Sequence, residues 1–539
     1  MTHQNLSIRG CFYSIALLSS AALATPQTTT IVVDTGQTTS YGEQGAITPP
    51  SAGQPFHGQD SQHSSSQPLY LDNGDGTISD LNTGLMWQKS PDFVNKRSWS
   101  EAGPYADALV LGGHSDWRLP TIKELYSLMD FRGSSTATPP VPYIDTNYFD
   151  FQYPSASSGD RLVDVQFWSN TAYVGTTMNG NFTAFGVNFA DGRIKGYPAG
   201  LRPNGTTFSR YVRAVRGSTT YGVNDFEDNN DGTVTDHATG LMWGQLDSNT
   251  AMSWEDALAY GQNSMLAGYS DWRLPDAKEL QGLVDYTRAP DATNPSQVGP
   301  AIDPIFDMND PSSWCWSSTT HLDAPNNGWA VYVCFGLATG WMQQPPNSGN
   351  YNLVNVHGAG AQRSDLKTGD PANYPLGWGP QGDVIRIANY ARLVRSAPAC
   401  TDLTISYCNT KVSSSGCIPT IESTGIPSAS AASGFTVQAV NVEPDQIGII
   451  FYSLSGAAAV PFHNGLLCIG GPAHRTAVQL SGSTGGPTCG GILSLDMNSA
   501  GICATIGSGN QGYVQALFRD SLDPNGIGMS NALSFTVCD

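Results

Sequence analysis

Glu227-Asp228-Asn229-Asn230-Asp231-Gly232 places oxygen-bearing side chains at alternate positions before a glycine, and Leu71-Asp72-Asn73-Gly74-Asp75-Gly76 does so except at its first position, where Leu71 stands. Such spacing can open a calcium loop, because a hard cation takes carboxylate and amide oxygens from every second residue. The twelfth position of that loop should carry a bidentate glutamate, but Asn82 and Ala238 stand there. Turns held by Asn and Asp side chains are the better reading. If calcium binds, its ligands are Asp72, Asp75 and Asp80 in one stretch and Asp228, Asp231 and Asp236 in the other. No other cofactor is implied.

Other reactive residue types are sparse. No G-x-S-x-G elbow, H-E-x-x-H helix or phosphate-binding loop occurs, and the nine histidines are scattered, so no catalytic residue is assigned. Cys315 and Cys334 fall in neighbouring predicted strands and are expected to form a cross-strand disulfide. Cys408 and Cys417 are close enough in sequence to close a small loop. Tyr173, Asn179, Asn181 and Phe182 lie late in one half of the chain; His321, Asn326, Asn327, Trp329 and Trp341 lie late in the other. Aromatic faces stack on sugar rings and amides pair with hydroxyls, so these residues are the candidate ligand-binding set and suit a neutral glycan.

The elements that must position them come in duplicate. HSDWRLPTIKEL at 114–125 returns as YSDWRLPDAKEL at 269–280, an offset of 155 (269 − 114). LDNGDGTISDLNTGLMW, SWSEA, FWSNT and YVRAVR each have a later counterpart in the same order. One domain of roughly 150 residues is therefore duplicated in tandem. Each copy predicts a hairpin at the acidic turn, then a helix capped by Ser98 or Ser253. A second helix follows Pro120 or Pro275, with Thr121/Glu124 or Asp276/Glu279 as its capping pair. Arg118 and Arg273 are expected to be half-buried and paired with a carboxylate or with backbone carbonyls, Asp116 and Glu124 being the candidate partners. The repeated words thus read as scaffold. The later copy carries an insertion near 342–383, rich in Gly, Pro and Asn and expected to be loop.

The 539 residues divide as follows: 1–24 signal peptide, 25–69 disordered linker, 70–217 and 226–396 the repeats, and 400–539 a C-terminal module. Arg9, the apolar run after it and Ala22-Leu23-Ala24 form the export signal. Export makes disulfides expected, and loss of Cys11 leaves nine cysteines, an odd number. No later segment is apolar for long enough to cross a membrane as a helix. A net charge of −20, with no sequence cluster of Lys and Arg, argues against nucleic acid and against heavily sulfated glycans.

Together these landmarks resemble the domain at the C-terminus of the Legionella collagen-like adhesin. The shared words are D-N-x-D-G-T, T-G-L-M-W, S-W-x-[ED]-A, D-W-R-L-P, W-S-S-T and a closing V-R. The resemblance implies a C-type-lectin-like α+β domain, two helices against a twisted antiparallel sheet, with ligand-binding loops late in the sequence. That adhesin is associated with sulfated polysaccharides, a ligand that the acidity here disfavours. R-L-P-T-x-x-E also looks like the core of formylglycine-generating enzymes, whose activity needs a reactive cysteine pair. The first repeat has no cysteine. Residues 400–539 resemble a module of exported planctomycete-type proteins in Y-C-N-T-K-V-S-S-S-G-C and P-F-H-N-G-L-L-C-I-G-G, and their alternating pattern predicts a disulfide-containing β-sandwich. The expected protein is a non-enzymatic, adhesin-like binder of glycans, secreted or held at the cell surface. The alternative is a structural or protein-interaction component of the envelope or matrix. The oligomeric state is open.

Overall fold

A computed structural model describes residues 31–538 except 64, 156–158, 179, 203, 323–327, 346, 398–403, 430, 483–488 and 508–509. The expected signal peptide lies outside the described residues.

Each repeat opens with the expected hairpin, and its closing strand returns to the same sheet. In repeat 1, Tyr70–Asp72, Thr77–Asp80, Met86–Gln88 and Val215–Arg216 lie side by side. In repeat 2, Phe226–Asp228, Thr233–Asp236, Leu241–Gly244 and Val394–Ser396 do so. The repeated turns are held by their own side chains. Asp75 Oδ1 accepts from the Thr77 amide at 3.1 Å, and Asp231 Oδ1 from the Thr233 amide at 3.0 Å.

Helices α1 (Trp99–Asp107) and α2 (Ile122–Ser127) belong to repeat 1, α3 (Trp254–Gln262) and α4 (Ala277–Gly282) to repeat 2. The caps are those the sequence specifies: the Thr121 and Asp276 side chains accept from the amides of Glu124 and Glu279. Those glutamates also take both arms of the D-W-R-L-P arginine. Arg118 lies 2.7 and 2.5 Å from Glu124, and Arg273 lies 2.7 and 2.6 Å from Glu279. Asp116, the other candidate partner, instead pairs with Arg216 of the closing V-R, as Asp271 does with Arg395. The repeated words are therefore one connected brace from loop to helix to last strand.

The repeats do not stand apart. Strands β1 (Gln166–Ala172), β2 (Thr183–Asn188) and β3 (Arg193–Pro198) come from repeat 1. Repeat 2 gives β4 (Trp314–His321), β5 (Trp329–Cys334) and β6 (Gln362–Leu366). They form one antiparallel sheet in the order β4-β5-β6-β3-β2-β1, joined where Ile194 pairs with Gln362. Gly196 is required at this seam, because a Cβ there would sit 2.4 Å from the His357 carbonyl oxygen. One apolar core runs beneath both halves, with Ile122, Leu125 and Val187 of repeat 1 beside Leu280 and Val333 of repeat 2. Strand β6 and Tyr351–Asn355, which pairs with Thr339–Gln343 at the insertion's edge, lie inside the insertion expected to be loop. Its described Gly and Pro residues sit outside the strands, and the short strands between them escaped the compositional reading.

The stretch from 31 to 69, expected to be a disordered linker, packs against both repeats. Its few apolar residues hide a different source of order, namely polar side chains that meet buried carbonyls and hydroxyls. Gln37 donates to Phe131 O of repeat 1 at 3.2 Å and to Thr320 O of repeat 2 at 2.9 Å. Asp60 is 4% exposed and takes hydrogen bonds from Thr35 and Thr319 at 2.8 and 2.5 Å.

The C-terminal module is two facing sheets. One contains Thr420–Gly425, Phe435–Val442 and Gly491–Asp496; the other is centred on Ile447–Ser453, Gln511–Arg519 and Ile527–Thr536. Phe435, Val437, Val514, Phe518 and Phe535 fill the space between them. Cys408 is bonded to Cys468 and Cys417 to Cys489, so the expected small loop from Cys408 to Cys417 does not form. The Tyr407 hydroxyl donates to Cys468 O at 2.8 Å, which seats Cys408 against that strand instead. Cys538 is also disulfide-bonded.

Cys315 and Cys334 are free, as is Cys503. The expected bridge fails by one residue of register: Cys315 pairs with Val333 and Cys334 with Trp314. Consecutive side chains on a strand point to opposite faces, so the two thiols enter different cores.

Candidate functional site

Alternation along β3 puts Arg193, Lys195 and Tyr197 on one face of the shared sheet, and the same rule brings Arg363 of β6 beside them. Val187 and Val333 occupy matching places in the repeats, and their partners across the sheet are Ile194 and Gln362. Lys195 and Arg363 are therefore counterparts, one from each repeat, flanking the seam. Above them lies a cleft of about 790 Å³. Seven cationic side chains line it: Lys96, Arg161, Arg193, Lys195, Arg202, Arg210 and Arg363; four aspartates (Asp160, Asp164, Asp191 and Asp383) accompany them. The chain as a whole is strongly acidic, so this is a local reversal of sign. The basic patch missing from the linear sequence is assembled by folding.

Its charges are only partly matched. Asp191 receives Lys195 at 2.7 Å and Arg193 at 3.3 Å. Asp383 is shared by one Arg363 nitrogen and by His357 Nε2, the latter at 3.1 Å. Arg363 is 7% exposed, yet its Nε and second terminal nitrogen have no partner. The buried Tyr197 hydroxyl is likewise unpaired. Buried donors without acceptors each cost about 1–3 kcal/mol. Burial, opposed by Asp191 and reinforced by Arg363, brings the Lys195 ammonium down to about 8. Burial and the charge of Arg193 bring Arg363 down to about 10. Burial and the nearby Arg363 push His357 well below the usual range, so its ring is neutral at pH 7. An anionic group entering this cleft would supply acceptors to donors that are already desolvated and aligned.

The rim is aromatic. Trp378 is 53% exposed, with its ring 5.9 Å from Trp329 and 6.0 Å from Tyr374. On the opposite wall the Arg202 guanidinium stacks 3.9 Å from the Phe208 ring.

Of the expected ligand-binding residues, Asn181 and Trp329 reach this cleft. Tyr173 does not: it is 4% exposed, and its hydroxyl bonds to Asp291 of the other repeat. His321 is fully buried; Nε2 donates to Asp191 O at 2.9 Å, which leaves Nδ1 to accept from Ser364 at 2.8 Å. Both hold the seam rather than face a ligand. Trp341 is half-buried in the insertion hairpin, and Asn179, Asn326 and Asn327 lie outside the described residues. The sequence reading missed Lys195, Arg363 and Trp378. A signal existed for the first two in the alternating R-I-K and Q-R-S segments, but only the pairing of β3 with β6 makes them neighbours.

The six aspartates weighed as calcium ligands are spread along two hairpins and engaged in turns. Asp72 pairs with Lys89 at 2.6 Å, and Asp236 accepts from Asn224 and from the Asp225 amide at 2.8 and 2.9 Å. Among the described residues no three His, Cys, Asp or Glu side chains converge on a metal-sized space.

The architecture defines a fused pair of α+β repeats sharing one sheet, with a composite cleft at the join. A family model described as the Lcl C-terminal domain matches residues 76–216 and again residues 232–356. The two matches fall on the two repeats, the second stopping inside the insertion that supplies β6. The C-terminal module lies outside both. No curated protein and no solved structure matches the chain.

Proposed function

We propose that the protein is a non-enzymatic, adhesin-like binding protein, exported to the cell surface or beyond, that takes a glycan into the cleft between its repeats. The observation that carries this reading is Arg363, a buried guanidinium with unpaired donors in the cleft that the exposed Trp378 ring also lines. A sugar ring stacks on the tryptophan while an acidic substituent meets the arginine. The bulk acidity of the chain then repels unselective polyanion binding, while the cations lining the cleft draw an anionic group to it. We read each repeat as C-type-lectin-like, on its two helices against a twisted antiparallel sheet, and the C-terminal module as planctomycete-type on its sequence words.

The test is a glycan array with the full-length protein, repeated with chelator. Acidic glycans should be retained in both conditions, with binding lost in Arg363→Met and Trp378→Ala. A blank array from well-folded protein would reject this reading. It would favour the alternative, a structural or protein-interaction role. That alternative draws on the C-terminal module, where Ile447 and Leu480 pair across strands while 56% and 61% exposed.

A further inference from the structure

Repeat 2 has lost an arginine whose surroundings it retains. At the offset fixed by α1 and α3 (254 − 99 = 155), Asp247, Met252 and Tyr260 stand where repeat 1 has Asp92, Arg97 and Tyr105. In repeat 1 the Arg97 guanidinium lies 3.6 Å from the Tyr105 ring centre, and its Nη2 is 2.8 Å from Asp92 Oδ2. It is held between an aromatic face and a carboxylate.

In repeat 2 the counterparts of that carboxylate and ring, Asp247 and Tyr260, border a cavity of about 480 Å³ together with Gln245, Ser264 and Leu266. Ser264 replaces Leu109, which widens it. Asp247 is 3% exposed. Its Oδ1 accepts from the amide and side chain of Asn309, both at 3.0 Å, while its Oδ2 has no partner. Arg392 is near enough to attract it, but its hydrogen bonds go to the carbonyls of Gly244, Gln245 and Asp307. The two carboxyls differ accordingly. Asp92 is held at about 2, since hydrogen bonds from Arg97 and Asn95 outweigh its partial burial. Burial raises Asp247 above the usual range.

We propose that this cavity binds a guanidinium cation from outside the chain, stacked on Tyr260 and hydrogen-bonded to Asp247 Oδ2. Shape and charge favour it over a plain ammonium: a planar cation can stack and bond sideways at once. The site is separate from the cleft at the seam and does not depend on what that cleft holds.

The test is calorimetric titration of methylguanidinium into the full-length protein, with methylammonium for comparison. Saturable binding is expected, at least tenfold tighter than methylammonium. Asp247→Asn keeps a carbonyl for Asn309 and should weaken binding tenfold or more. Met252→Arg, which restores the internal arginine, should abolish it. Absence of saturable binding, equal binding of methylammonium, or unchanged binding in both variants would overturn the proposal. N-acetyl-arginine-methylamide then separates the sources. Tighter binding than methylguanidinium identifies an arginine of a partner polypeptide, and equal binding a free cation; both support the site.

Discussion

Lys123 and Lys278 hold the same place in the two copies of the repeated K-E-L word, and each reaches across to the other repeat. Lys123 Nζ donates to Gly282 O, at the end of α4, at 2.7 Å. Lys278 Nζ donates to Ser127 O, at the end of α2, at 2.8 Å. Ser127 and Gly282 are themselves counterparts at the offset of 155 (282 − 127). The contact is reciprocal, as in a two-fold symmetric dimer, although it lies within one chain. A cation at the last turn of a helix also meets the negative end of its dipole. The lysine of the repeated word is thus the clasp of the fused unit.

Removing a clasp leaves carbonyls without donors. Lys123 also serves Gly222 O at 2.9 Å, and Lys278 serves Asp34 O at 2.8 Å. Lys278→Met should lower stability by about 2–6 kcal/mol, given 1–3 kcal/mol for each of the two carbonyls left unsatisfied, read as a shift in the urea midpoint. The two lysines share one seam, so Lys123→Met with Lys278→Met should depart from additivity. Additive losses would mean that the repeats unfold independently.

The Arg–Glu brace makes a graded prediction. Glu279→Gln should cost about 3–5 kcal/mol, the range for breaking one partner out of a buried pair. Glu124→Gln should cost less, because the Arg118 side chain is 22% exposed and that of Arg273 14%, so water can replace more of the first pair. Thermal unfolding of the two variants decides it, and the reverse order would be evidence against the brace.

These contacts explain what was legible in the sequence. Capping pairs, turns and the duplicated order are local, so Thr121, Glu124 and the acidic hairpins could be read from spacing. Arg213 and Arg392 could not. Each is fully buried and gives its terminal nitrogens to three backbone carbonyls from two distant segments. Nor could the cleft, since Lys195 and Arg363 meet only through an inter-repeat strand pairing. The mistaken Cys315–Cys334 bridge has the same origin, because a one-residue register is invisible to an alignment of motifs.

The thiol assignment can be checked directly. Alkylation of the unfolded, unreduced protein should label Cys315, Cys334 and Cys503, with Cys408, Cys417, Cys468, Cys489 and Cys538 reacting only after reduction. Cys417→Ser with Cys489→Ser opens a loop spanning 72 residues and should cost the C-terminal module about 2–4 kcal/mol. Labelling of Cys417 before reduction would refute the pairing.

The segment 31–69 should loosen as pH rises. Burial, with the charge of Asp34 adding to it and the Thr319 and Thr35 hydroxyls opposing, raises the Asp60 carboxyl to about 7. The unfolded chain loses this proton near 4, so between about pH 4 and 7 the folded state binds more protons than the unfolded one. The stability contributed by neutral Asp60 is therefore complete below pH 4 and is lost as pH rises through 7. Asp60→Asn fixes the neutral form and keeps an oxygen for both threonines. Hydrogen exchange of residues 31–69 should accelerate from pH 5 to pH 8 in the wild type, after correction for intrinsic rates, and much less in Asp60→Asn. Equal acceleration in both proteins would show that another group controls the segment, with Asp34 and Glu279, which face the same carboxyl, next to be replaced.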